Sequence, residues 1–535
     1  MSSTLFVGTV LTLNDNAPRA SAVLVEDDRI SAVGEANDLR SRLPAGTTTV
    51  DLGEGVLMPG LIEPHGHPTS SAVLLSENVV DIRPVIVTAP HEVMSRISAA
   101  VATASGGVLA NGWDPLLQVG LVDPTRASLD ELAGNVPLVI VHNSGHSAFF
   151  NSAAAAMAGI THETPDPPGA SYGRDHDGEL SGVAHETAAI FAVAGPFLSK
   201  SYAEFSSLIT AELARANAVG VTTLCDMSWN PAQAPLLDAA REHSEFTARL
   251  RLYEMSRPGG TSAVARTNGD DVVAQVGIKT WADGSPWVGN IATSFPYLTN
   301  STTEAMGLEP QHRGSANFSS EEILEISRAY ATQGWQLACH AHGDLAIDSV
   351  LNAWESVITE LSLTDHRFRL EHVGAITPQQ CERAAALGVT VSVFVDHIHY
   401  WGDVLVDELF GDSGKRWADA QSAVAAGIAT TFHNDGTVTP LEPFRNMAVA
   451  MTRRSHTGRV LDGATGVSLD AALKAHTTSA AWQLQAEEQI GSIEVGKYAD
   501  LIIIDRNPHD VDAEALAQTQ VLATYLAGTC VYEKA

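Results

Sequence analysis

Apolar strand-like runs alternate with helix-patterned stretches from about residue 205 to 435, and this rhythm narrows the fold more than any other feature. The runs are Val221–Asp226, Arg249–Glu254, Val276–Trp281, Trp335–His340, Phe368–His372, Val389–Phe394 and Ala429–His433. Helical patterns lie between several of them. Two examples, Glu321–Thr332 and Pro378–Leu387, are followed by the stop signals Gly334 and Gly388. With the apolar run that leads into His65, eight strands are expected. Strand–helix alternation at that count predicts an α/β chain folded as a (β/α)8 TIM barrel.

The flanks read differently. Residues 1–58 carry short β-rich segments, Thr4–Leu13, Ala22–Val25 and Ile30–Val33, the last two separated by the polar turn Glu26-Asp27-Asp28-Arg29. Residues 485–535 turn β-rich again in Gly491–Asp505 and Tyr525–Tyr532. A small β-sandwich built from both chain ends is therefore expected around a barrel spanning 59–484. Residues from about 70 to 204 break the barrel rhythm and read as a large insertion after the first strand. An insertion there sits over the C-terminal mouth, where it can act as a substrate lid.

A chain of 535 residues exceeds one compact core. Its 45% hydrophobic and 18% charged residues argue for a folded protein and against disorder. A net charge of -32 repels phosphate backbones and anionic membranes, which argues against nucleic acid as a partner. No run of 18 apolar residues occurs, so no membrane span is expected. The N-terminal residues lack a basic segment followed by an apolar core, so no secretion signal is expected. Cys225, Cys339, Cys381 and Cys530 are far apart and form no C-x-x-C pair, which fits a reducing cytoplasm.

The polar residues fall at strand ends. His65-Gly66-His67 closes the first strand, and side chains at i and i+2 of a strand point the same way. Two imidazoles can then converge on zinc or another first-row metal. Lys279 lies in strand four, His340 ends strand five, His372 ends strand six and Asp435 follows strand eight. Barrel active sites form at these ends, so the pattern predicts a metal centre. His342 competes with His340, which is preferred because it comes directly at the strand end. Asp344 is expected to cap the following helix. His433 fits either an inward or an outward position.

Pro59–His67 resembles the signature of the amidohydrolase superfamily, and Gly491–Asp500 is similar to its C-terminal motif. Gly145–Ser152 and Lys279–Ser285 narrow the resemblance to amidohydrolase family 3, the group of YtcJ-like proteins and N-substituted formamide deformylase. The resemblance spans nearly the whole chain. It implies a metal-dependent amidohydrolase that cleaves the C–N bond of a small amide, formamide or related acyl-nitrogen compound. His65, His67 and Asp435 would bind the more buried metal, and His340 and His372 the second, with zinc the expected ion. Lys279 looks like the strand-four lysine that reacts with CO2 to give a metal-bridging carbamate. Asp435 would take the proton of the metal-activated water and return it to the departing nitrogen. His146, Trp113, Glu186, Trp287, His397, His399 and Tyr400 are substrate-binding candidates. The family often forms dimers, so a homodimer is an expectation.

Two departures are visible: Gly66 replaces a bulkier residue between the histidines, and Glu63 stands where the family often has aspartate. Neither removes a ligand. Two alternatives weigh less. A deaminase of the superfamily needs a glutamate after the strand-five histidine, and here His340 is followed by Ala341-His342-Gly343. An inactive binding or scaffolding relative would have lost ligands, whereas all six positions are filled.

Overall fold

The computed structural model describes residues 3–262, 264–266 and 269–535. At its centre lie eight parallel strands: β1 (Leu61–Gly66), β2 (Val221–Trp229), β3 (Arg249–Met255), β4 (Val273–Trp281), β5 (Gln336–Ala341), β6 (Arg369–His372), β7 (Thr390–Val393) and β8 (Thr430–Phe432). They hydrogen-bond in sequence order from β1 to β8, every pair parallel. The ring nearly closes, and the His67 amide reaches the Gly436 carbonyl at 3.2 Å across the gap between β8 and β1. Every strand read from the sequence is present. β2 and β4 depart furthest, β2 running three residues further to Trp229 and β4 starting three residues earlier at Val273.

The strands are continuous apolar runs because both faces are covered, as parallel sheets require. All residues of β5, β6 and β7 are buried. The outer helices begin and end where local chemistry dictates. Ser319 and Glu322 form a capping box ahead of Ser320–Ala331, and Thr377 with Gln380 does the same for Pro378–Leu387. Gly388, at φ +71°, ends the second helix in the left-handed region that glycine enters without a Cβ penalty. Asp344 is not the cap of its helix: Gly343 is, and the Asp344 carboxylate instead accepts the Ser294 amide at 2.8 Å.

Both chain ends enter one seven-stranded sheet. Its order is Thr529–Glu533, Val521–Leu526, Leu501–Ile504, Thr48–Pro59, Ser3–Leu11, Arg19–Glu26 and Arg29–Gly34. Buried Asp500 fastens this sheet to the barrel. Its carboxylate accepts from Arg249 Nε at 2.6 Å and a second Arg249 nitrogen at 3.0 Å, and the guanidinium lies 4.0 Å above the Tyr498 ring. Breaking one partner of a buried pair strands the other charge. Asp500→Asn is therefore expected to lower unfolding stability by about 3 kcal/mol, read by urea denaturation. A loss under about 1 kcal/mol would show that the pair does not fasten the sheet.

Between β1 and β2 the chain builds a separate six-stranded sheet. Its order is Ser171–Arg174, Leu180–His185, Ser147–Phe150, Leu138–His142, Val108–Trp113 and Val80–Asp81. Apolar clusters cover both its faces, one around Phe150 and Val193 and the other around Trp113 and Ile140. The helix Glu186–Leu198 leaves this sheet for the barrel mouth. Among the described residues, no helix is long and apolar enough to cross a membrane.

Candidate metal centre and active site

Five strand ends deliver six donor side chains to one cavity. His65, His67, Lys279, His340, His372 and Asp435 all line it. His65 Nε2 and His67 Nε2 lie 3.5 and 3.2 Å from Asp435 Oδ1. Lys279 Nζ is 3.4 Å from His65 Nε2, and His372 Nδ1 is 3.7 Å from Asp435 Oδ2. Asp435 Oδ1 and His372 Nδ1 are nevertheless buried without a hydrogen-bond partner. Buried polar atoms are nearly always paired. Two orphaned atoms, at the ends of β6 and β8, that face the imidazoles of β1 fit a divalent cation.

The backbone is strained at these points. His372 and Asp435 sit at φ +69° and +53°, in the left-handed region that side chains other than glycine rarely enter. Such outliers persist where the surroundings impose them, and they cluster at functional sites.

A buried framework orients the donors. Glu371 accepts from His65 Nδ1 at 2.5 Å, so the ring presents Nε2 to the cavity. Arg369 forks onto Glu371 at 2.5 and 3.0 Å and reaches the Pro64 carbonyl at 2.9 Å. His67 Nδ1 pairs with Ser228 at 2.9 Å, again leaving Nε2 inward. His340 Nε2 donates to the Gly284 carbonyl at 2.7 Å. Asp283 accepts the His342 and Gly343 amides at 2.9 and 2.8 Å and so fixes the turn after β5.

Electrostatics follow burial. Desolvation holds His65, His340 and His372 neutral, with pKa values well below the ordinary range, so each keeps a lone pair for a metal. Burial also lowers Lys279 from 10.5 to about 8, against the pull of Glu371 and Asp435. Lys279 pairs with neither Asp226 nor Asp283. Asp226 is held by Thr69 and Ser228, Asp283 by backbone amides. Burial pushes Asp435 up, but His67, His433 and Lys279 outweigh it and keep the carboxyl below its usual value.

The candidate substrate residues divide. His146 lines the cavity, its ring 4.8 Å from that of His340. Its Nδ1 donates to Glu186 at 2.8 Å, and Glu186 in turn accepts from Asn290 at 2.6 Å. Glu186 is held at φ +67°. Trp113, Trp287, His397 and Tyr400 do not line this cavity. Trp113 packs inside the six-stranded sheet region and donates to Asp123. Trp287 stacks on Trp401 at 4.8 Å, and His397 accepts from Trp417 at 3.2 Å. Tyr400 accepts from Arg445, and His399 lies beside His456. These rings are packing and support behind the wall. Between the two strand-five histidines, His340 faces the cavity and His342 does not line it.

Sequence reading missed Glu371, Ser228 and Asn290, and of the two positions it left open for His433 the structure shows the inward one. Glu371 had one available signal, its place directly before a ligand-type histidine.

The cavity holds about 110 Å³. Away from the donors its wall is largely apolar, with Leu74, Val141, Ile190, Phe191, Leu198 and Val438, interrupted by the hydroxyls of Ser70, Ser144, Thr187, Ser228 and Thr437. Ile190, Phe191 and Leu198 come from the helix Glu186–Leu198. Among the described lining residues, Lys279 is the only lysine or arginine.

Comparison with known proteins agrees with this geometry. Residues 48–532 match the sequence profile of the Amidohydrolase family. The chain is 27% identical to N-substituted formamide deformylase of Arthrobacter pascens, over 98% of this chain and 97% of that protein. It is 24% identical to YtcJ of Bacillus subtilis, over 98% of both chains. A solved structure of an uncharacterized metal-dependent hydrolase from Pyrococcus horikoshii superposes with a TM-score of 0.73 at 21% identity, covering 96% of this chain and 99% of that one.

Proposed function

The chain belongs to the amidohydrolase family and is a hydrolase of carbon–nitrogen bonds; we propose that its substrate is a small N-acyl or N-formyl compound with an uncharged, apolar substituent. The observation that carries the reading is the convergence of six donors from five strand ends on one cavity with an apolar wall. A substrate carboxylate would find no arginine there. Apolar contact with Ile190, Phe191 and Leu198 instead favours an alkyl or aryl group. The β1–β2 segment serves as an insertion that shapes the substrate site, since its helix supplies that wall. The sheet from both chain ends serves as the small β domain beside the barrel.

His65, His67 and Asp435 would hold one divalent ion and His340 and His372 a second, with Lys279 contributing anionic oxygens only once it is carboxylated. Imidazole and carboxylate donors suit zinc. Such an ion supplies Lewis acidity, polarising the carbonyl and making water a better nucleophile. Asp435 accepts the proton of the attacking water and passes it to the departing nitrogen. His146, its Nδ1 anchored by Glu186, turns Nε2 to the cavity and holds the reacting acyl group or the leaving nitrogen. The apolar wall excludes bulk water, which strengthens each of these polar contacts. Four unpaired cysteines support a reducing, cytoplasmic setting.

The test is a screen of the zinc-replete protein against N-alkyl and N-aryl formamides, N-acyl amino acids and amino-heterocycles. Amine release from the apolar formamides or amides is expected. Ammonia release from amino-heterocycles alone would move the chain to the deaminases.

Lys279 carries its own expectation. With a pKa near 8, about half of it is free amine at pH 8, against well under 1% for an ordinary lysine. Only the free amine adds CO2. Metal-free protein at fixed dissolved ¹³CO2 is therefore expected to show a carbamate NMR signal that grows from about pH 7 to pH 9. The signal should be absent in Lys279→Met. A signal that does not grow, or that survives the substitution, places the carbamate elsewhere.

A further inference from the structure

We propose that His433 is a further metal ligand, which completes with His65, His372 and Asp435 a four-donor pocket of three imidazoles and one carboxylate. The assignment rests on the metal-dependent hydrolase reading and deepens it.

His433 directly follows β8 and is fully buried. Its ring points into the barrel. It stacks on His65 at 4.4 Å and meets His372 at 5.0 Å, with Phe394 at 4.9 Å. Neither ring nitrogen has a hydrogen-bond partner. Leaving a buried donor or acceptor unpaired costs about 1–3 kcal/mol, so a doubly orphaned imidazole needs a physical reason. Its neighbours supply one. One donor atom each from His65, His372, His433 and Asp435 lies within 4.8 Å of the others. Four such donors are the complement of a tetrahedral zinc site.

His342 is also buried with an unpaired Nδ1 and groups with His340 and His372, but that trio has no carboxylate and His342 does not line the cavity. His433 is thus the better-placed extra ligand. The pocket it completes contains neither His67 nor Lys279. It regroups His372 with His65 and Asp435, so one ion can be held there without a carbamate.

The test is zinc affinity, by chelator competition on metal-stripped full-length protein, for wild type, His433→Phe and Lys279→Met. Phenylalanine keeps the ring stack and removes both nitrogens. His433→Phe is expected to weaken the first zinc by more than about 100-fold, beyond the 10–100-fold typical of losing an outer-shell partner. Lys279→Met should weaken it less than His433→Phe does. A His433→Phe loss below that limit, or a larger loss in Lys279→Met, overturns the assignment. Should His433→Phe not fold, a wild-type crystal with one zinc equivalent decides. An ion about 2.0–2.1 Å from a His433 nitrogen supports the ligand, and an ion beyond bonding distance overturns it. A wild type that binds no zinc removes the metal-dependent reading itself, whereas wild-type binding with an unaffected His433→Phe removes only this ligand.

Discussion

Asp435→Asn is expected to abolish turnover, lowering kcat by at least about 10⁴-fold, the upper range for a group that moves the reacting proton. The substitution is unusually clean. Asp435 sits at φ +53°, and asparagine tolerates the left-handed region better than most residues, so the backbone is not forced out of place. The amide fills the same volume but offers neither the negative charge nor the basic oxygen that His65 and His67 surround at 3.5 and 3.2 Å. Circular dichroism should be unchanged while amine release disappears. Turnover retained within tenfold would exclude Asp435 as the proton carrier.

Glu371→Gln carries the second large effect, and it acts twice. Arg369 and Glu371 are both fully buried, paired at 2.5 and 3.0 Å in the barrel interior. Neutralising Glu371 leaves the guanidinium charge uncompensated, which costs about 3–5 kcal/mol of unfolding stability. The same carboxylate holds His65 Nδ1 at 2.5 Å. Losing it frees the ring orientation and should weaken metal binding by about 10–100-fold. Urea denaturation reads the first effect and a zinc titration the second. A variant as stable as wild type would show that Arg369 finds enough compensation in its hydrogen bonds to the Pro64 carbonyl at 2.9 Å and the Tyr253 hydroxyl at 3.4 Å.

What the sequence disclosed follows from which forces are local. The barrel strands were readable because parallel strands buried on both faces must be apolar runs, as in β5 and β7. The strand-end donors were readable because chain order and strand direction place them on one rim. Glu371 was not, since strand alternation alone does not show that His372, at φ +69°, departs from regular strand geometry. Nor was the chain His146–Glu186–Asn290, whose members come from three distant segments and meet only in the folded protein. Trp113 and Trp287 show the converse. A tryptophan carries the same apolar signal in a wall as in a pocket, and both lie in packed regions off the cavity.

Hydrolysis should depend on a divalent ion at the barrel mouth. Stripping the protein of metal and returning zinc in measured equivalents tests it, with amine release from an N-alkyl formamide or amide that the wild type cleaves as the readout. The expected result is an inactive but folded apoprotein whose activity returns in proportion to bound zinc and saturates at one or two ions per chain. Full activity in metal-free protein would contradict it.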